Sequence, residues 1–296
     1  MLWLPITIFA YLLNASSITI DKFLLEKKIS NPAVYAFFIS ALSLLSLILM
    51  PFGFHIGTLY GIVFALIAGI FFTFALLFMF MALNNNEASR ITPFMGGIQP
   101  VLVLFLAWIF IGEALGFKSI IALVFIILGT IVISWEKGAK ASRKSYIFAL
   151  ISTLFFAIAY TMNKYVFIDQ GFISGFIWTR IGAFIGALFL LFSVNNRKDI
   201  KREVKQPKKK TSSLFLVGQG AGAIGFILIN YSIAISPSVA LINALQGVQY
   251  IFLLLIIGTI SWKFSKVLKE KFSAKILAQK LIATALIIIG LIFISI

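Results

Sequence analysis

Ten apolar runs, each close to the length a helix needs to cross a bilayer, follow one another along 296 residues and leave almost nothing over for a soluble domain. A hydrocarbon core takes ~20 mostly apolar residues per helix, and with no water inside it to satisfy peptide groups the chain there must form helices or a closed barrel. Alternating barrel strands are not seen. The sequence therefore predicts an all-α integral membrane protein, with spans near residues 3–20, 33–50, 57–83, 90–112 and 117–135, then near 145–163, 171–194, 213–235, 238–261 and 277–296. The first run, Leu2 to Ile20, lacks the basic n-region of a secretory leader and is expected to be retained as a span.

The second five runs repeat the first five. Asp21-Lys22-Phe23 falls on Asn163-Lys164-Tyr165, the fourth span from Ala88 to Pro100 falls on Val239 to Ile251, and Gly129 answers Gly290. An odd number of spans per copy sends the second copy into the membrane upside down, so the expectation is ten transmembrane helices as two inverted five-helix repeats, residues 1–140 and 141–296. A site between the halves follows from that arrangement.

Charge sets orientation. Of the 25 Lys and Arg, 22 fall in the loops after the first, third, fifth, seventh and ninth spans, whereas the opposite face has only Lys118 and Lys164 and one span holds Arg180. The positive-inside rule makes the basic face cytoplasmic and puts both termini outside. The net charge of +16 is thereby a topology device, and nucleic-acid binding is not expected, since the stretch from Arg197 to Lys210 interleaves no aromatics and reads as a solvated anchoring loop. Its cations suit anionic headgroups, so membrane lipids are expected partners.

Polar residues inside spans are costly and face a cavity or another helix. On the ninth span Asn243, Gln246 and Tyr250 form one helical stripe with Gly247 in its sector; the matched stripe on the fourth span is Thr92, Met95 and Gln99, with Gly96 matching Gly247. Lining a cavity and packing two helices both account for such stripes, the glycines fitting close approach. Asn14, Ser17 and Asp21 on the first span are answered by Tyr160 and Asn163 on the sixth, and Asp21 and Lys22 belong near the cytoplasmic mouth. Arg180 lies about nine residues into the seventh span, some ~14 Å of rise, where it must meet backbone carbonyls, a carboxylate or an anionic substrate group.

Absences narrow the chemistry. All nine Asp and Glu sit at span ends or in loops, which disfavours a mid-membrane carboxylate relay for protons. The single histidine, His55, cannot build a metal site alone, and cysteine is absent, removing disulfides and thiol chemistry. No nucleophile constellation or phosphate-cradling loop is present, so no enzyme activity, cofactor or metal is expected.

The run Asn86-Glu87-Ala88-Ser89-Arg90 leading to Gln99-Pro100, then Ile111-Gly112-Glu113 and Gly129, resembles the first half of the EamA-like transporters of the drug/metabolite transporter superfamily. The likeness extends over essentially the whole chain through the five-span layout of both copies. It implies a secondary transporter with a central cavity, moving small metabolites such as amino acids, often outward. Two positions depart from strict repetition: Ile251 stands where the first copy has Pro100, and a Lys-rich stretch around Glu270 replaces the compact turn at Glu113. Family members are described with cytoplasmic termini, opposite to the charge count here.

The expected function is therefore a multi-pass carrier in the cell membrane that alternates access to a small-molecule substrate. Its cavity is expected to be lined by Thr92, Gln99, Asn243, Gln246 and Tyr250, walled by Asn14, Tyr160 and Asn163, and supplied with a cation by Arg180. The rival is a lipid-interacting sensor, scaffold or lipid-processing protein acting through the basic loops; self-association into a homo-oligomer is left open. A periplasm-dependent reporter fused after Ile296 is expected to be active, and an active cytoplasm-dependent reporter there contradicts the charge-based orientation.

Overall fold

A peptide group buried in hydrocarbon is best satisfied within its own segment, and every element of the computed structural model is accordingly a helix. The structure describes residues 2–24, 31–84, 88–134, 142–205, 213–263 and 274–295. The elements are α1 (Trp3–Leu24), α2 (Pro32–Leu42), a 3₁₀ segment (Ser43–Phe52), α3 (Leu59–Leu83), α4 (Ala88–Ile111), α5 (Phe117–Ser134), α6 (Arg143–Gln170), α7 (Phe172–Leu190), α8 (Val194–Lys205), α9 (Ser213–Ile235), α10 (Val239–Ala244), α11 (Gln246–Lys263) and α12 (Ala274–Ser295). Among the described residues six stretches are long and apolar enough to cross a membrane, and four shorter apolar helices accompany them.

Local signals start and stop these helices. Asn31 accepts from the Ala33 amide at 2.9 Å with Pro32 at the first helical position of α2, and Thr58 accepts from Gly61 at 3.0 Å to open α3. Ser142 and Ser238 do the same for α6 and α10, each accepting at 3.2 Å from the residue three places on. Gly112, with φ 71°, turns the chain between α4 and α5 in a conformation that a side chain would strain.

Three segments differ from the sequence expectation. The second span is α-helical only to Leu42 and continues as 3₁₀ through Pro51, which lacks an amide hydrogen and cannot sustain an α ladder. The ninth span breaks between α10 and α11: the Val248 amide donates to Leu245 O at 2.9 Å, a one-turn tightening immediately after Asn243. The seventh span, expected to reach residue 194, ends at Leu190, and the stretch from Arg197, expected as a solvated loop, begins within α8. Asn196 and Arg197 donate at 3.2 Å to the Leu190 and Leu191 carbonyls and so satisfy the end of α7, while Ile200 is buried. Residues 206–212 of that stretch lie outside the described residues.

Small residues set the packing. α3 lies on α6 and α7, α9 on α1, and α5 on α12. A Cβ at Gly182 would strike the Leu66 backbone and one at Gly69 the Thr179 carbonyl, so α3 and α7 touch backbone to backbone, and Thr73 seals the contact by donating to Ala183 O at 2.8 Å. α1 meets α9 with Ser17 over Gly222 and Asn14 over Gly225, the two helices running in opposite senses. Gly129 faces Ala283 and Ile287, and Gly290 faces Ala122 and Ile126, so α5 and α12 cross antiparallel through exchanged glycines. The outward residues, among them Phe105, Trp108 and Phe110, are large, apolar and exposed, as a lipid-facing surface requires.

Replacing Gly182 by Leu forces α3 and α7 apart. We predict a loss of about 1–3 kcal/mol, the usual range for overpacking, read as a lower unfolding midpoint in detergent; an unchanged midpoint contradicts the close contact.

Candidate functional site

Two stripes read from the sequence meet in the structure. Gln99 of α4 donates through Nε2 to Asn243 Oδ1 of α10 at 2.7 Å, and Asn243 Nδ2 donates to the Val239 carbonyl at 3.0 Å, which fixes which way its amide points. Both side chains are buried. One turn away the glycines of the same stripes converge on Thr130 of α5: a Cβ at Gly96 would lie 3.3 Å from its methyl, and one at Gly247 would overlap its hydroxyl. Tyr250 of α11 stands beyond them, its hydroxyl 3.5 Å from the same point at Gly96. Thr130 was not anticipated; in sequence it is one more hydroxyl in an apolar run.

Around this seam stand three tyrosines. Tyr11 of α1 donates to the Ile242 carbonyl at 2.9 Å and lies within electrostatic reach of Tyr160 and Tyr250. Tyr160 of α6 stacks on Phe156 at 6.0 Å and is in reach of Arg180. Gln246 is half-buried on α11. Asn14 is half-buried against Gly225, engaged in the α1–α9 contact. The side chains of Thr92, Asp21 and Lys22 lie outside the described residues.

Asn163 is fully buried and donates to Asn230 Oδ1 of α9 at 3.2 Å, Asn230 in turn donating to the Phe226 carbonyl at 2.9 Å; the Asn163 oxygen has no partner. Its neighbour Lys164, counted from sequence as a charge on the outer face, is instead 7% exposed. Its ammonium donates to Ile233 O at 2.9 Å, Ala234 O at 3.2 Å and Ser236 O, capping the carbonyl end of α9. Glu113, brought round by the Gly112 turn, accepts from the Val239 amide at 3.3 Å where α10 begins. A lysine and a glutamate that read as span-end charges thus hold the α9–α10 turn by its two helix ends.

Arg180 is 2% exposed on α7 and makes no ion pair among the described residues. Its guanidinium carbon lies 4.6 Å from the Phe72 ring centre, 4.9 Å from Phe226 and 5.2 Å from Phe176, so three rings from α3, α9 and α7 enclose the cation. Such contacts stabilise by about 0.5–2 kcal/mol each, less than the several kcal/mol it costs to take an unpaired charge out of water. Nε and Nη2 are buried without acceptors. With 32 phenylalanines in the chain, nothing in the sequence singles out these three.

A cavity of about 690 Å³ opens between α2, α3, α6 and α8, lined by residues that include Asn31, Leu77, Asn84, Ser145 and Phe148; Gln99, Asn243 and Arg180 do not line it. The seam itself is closed in this conformation. Among the described residues no three His, Asp or Glu gather as a metal ion would require.

Residues 1–135, which supply Gln99, Gly112 and Glu113, match the EamA-like transporter family. That match, together with the long apolar helices, indicates a multi-pass membrane protein. A solved crystal structure of a protein 16% identical superposes with a TM-score of 0.66 over 98% of this chain and 95% of that one, which shows a shared fold. No curated protein matches the chain by sequence. The Ile111-Gly112-Glu113 motif has a structural role here, since it delivers the carboxylate to the start of α10.

Lys164→Met leaves three carbonyls without their donor. We predict a loss of about 1–3 kcal/mol, with Lys164→Arg retaining part of the stability, measured as unfolding midpoints in detergent; equal midpoints for Lys164→Met and the parent contradict the cap.

Proposed function

We propose that this protein is an EamA-like secondary carrier of small organic solutes, amino-acid-like or otherwise, working as an exporter by alternating access at the cell membrane. In this reading ten spans form two inverted five-helix repeats, 1–140 and 141–296, with α2 and the 3₁₀ segment making one span, α10 and α11 another, and both termini outside. The reciprocal contacts support it: α3 packs on α6 as α9 packs on α1, and α4 packs on α6 as α11 packs on α1. A pseudo-two-fold relation brings contacts in such pairs, and the extensive α3–α7 contact, which has no α2–α9 counterpart of like extent, departs from it.

The observation that carries the mechanism is the Gln99–Asn243 hydrogen bond, which joins the counterpart helices of the two halves at 2.7 Å inside the bundle. A polar joint between two packed bodies can exchange its partner amide for a solute or water when the halves rock, whereas an apolar joint offers nothing to exchange. Gln246 and Tyr250 extend that joint along α11, Tyr160, Asn163 and Asn14 flank it, Thr92 is assigned to the cavity by its place in the sequence stripe alone, and Arg180 supplies a cation for an anionic group. The break at Leu245 gives the α10 end of the joint a place to pivot.

The test uses the whole protein in liposomes loaded with a mixed metabolite pool. At least one organic solute is expected to show saturable counterflow, and Gln99→Leu and Asn243→Leu are each expected to lower it, with a Gln99–Asn243 coupling of about 0.6–1.7 kcal/mol from a stability cycle. Solute movement no faster than in protein-free liposomes overturns the carrier reading.

A further inference from the structure

The unspent donors of Arg180 belong to one edge of the guanidinium. Nε and Nη2 are the parallel pair of N–H groups that takes a carboxylate through two hydrogen bonds at once, and both are buried with no acceptor. Phe72, Phe176 and Phe226 bring ring faces within 4.6–5.2 Å of the guanidinium carbon and offer it no hydrogen-bond acceptor. A bare edge of this kind within a membrane-spanning helix is a binding feature lacking its ligand, because hydrocarbon offers no water to satisfy it.

The charge inventory around it is one-sided. Every Asp and Glu of the chain is at a span end or in a loop, and the polar groups of the seam are amides and phenols: Gln99, Asn243, Tyr11, Tyr160 and Tyr250. A carboxylate entering beside Arg180 finds one positive charge; an α-ammonium there is repelled by that cation, and the nearest carboxylate of the seam, Glu113, stands at the start of α10, one turn beyond Asn243. A dianionic phosphate would retain a full uncompensated charge, since Arg180 is the one Lys or Arg within the deep part of a span. The aromatic walls, including Phe156 stacked with Tyr160, suit a flat apolar body.

We infer that the solute of this carrier is a small organic monocarboxylate with an apolar body, bound through the Nε–Nη2 edge of Arg180, and neither an amino-acid zwitterion nor a phosphate ester. The inference rests on the carrier reading and narrows its substrate class. One negative charge on the solute neutralises one positive charge in the wall, and the carboxylate oxygens accept the two hydrogen bonds that the protein leaves unmade.

Three probes that share a body isolate the charge: 3-phenylpropanoate, 3-phenylpropanamide and phenylalanine. Binding to the purified protein is read as the concentration dependence of its unfolding midpoint, and transport as counterflow in liposomes. The carboxylate is expected to bind roughly tenfold or more tightly than the amide or the zwitterion, that ratio falling towards unity in Arg180→Gln and to an intermediate value in Arg180→Lys, which keeps charge but loses the two-point edge. Phenylalanine bound as tightly as the carboxylate, or a preference unchanged in Arg180→Gln with its fold intact by gel filtration, overturns the substrate class while counterflow of any solute leaves the carrier standing. Counterflow of other solutes with none of the three probes bound also overturns the inference. Absence of any counterflow removes the carrier reading with it.

Discussion

Hydrocarbon gives a polar side chain nothing to bond to, and that single constraint sorts the polar residues of this protein. Several discharge their hydrogen bonds into neighbouring backbones: Thr73 into Ala183, Ser152 into Ala75 and Tyr11 into Ile242, each at 2.8–2.9 Å. Such bonds tie helices together at fixed rotation and leave no capacity for a ligand. Gln99 and Asn243 are satisfied by each other, and Arg180 has two donors left over. Thr161, Gln170, Trp178 and Ser232 likewise have buried, unpartnered atoms, and Arg180 differs from them in carrying a full charge.

The seam is positioned by residues with no side chain to speak of. Gly69, Gly182 and Gly186 let α3 and α7 meet at backbone distance, Gly218, Gly222 and Gly225 do so for α9 against α1, and Gly96 and Gly247 admit Thr130 between α4 and α11. Close approach brings Phe72, Phe176 and Phe226 from three helices onto one guanidinium. At the outer turn, Lys164 and Glu113 hold α9 and α10 by their dipole ends. In sequence the counterpart of Lys164 in the first copy is Lys22, and a Lys-rich stretch around Glu270 stands where Glu113 would repeat.

Much of this was legible from run length and helical spacing. Apolar length found the long helices, because the bilayer imposes it directly, and the stripe from Asn243 to Tyr250 found a helix face that meets its counterpart. Spacing says which residues share a face but not how that face is rotated towards its neighbours, so Asn230, Thr130 and the three rings around Arg180 escaped notice. The 3₁₀ continuation of α2 and the break at Leu245 were hidden for a related reason: hydropathy is blind to a change of hydrogen-bond ladder inside an apolar run. Lys164 was misjudged because a cation near a span end looks the same whether it reaches water or caps a neighbouring helix.

The chain contains no cysteine, so one introduced thiol reports without background. Gln246→Cys, half-buried beside the Gln99–Asn243 joint, is the most direct probe of alternating access. A membrane-impermeant thiol reagent applied to oriented vesicles is expected to modify it from either face, with solute shifting the balance between the two. Modification from neither face, or from one face only under all conditions, contradicts an account in which the two halves rock about this seam.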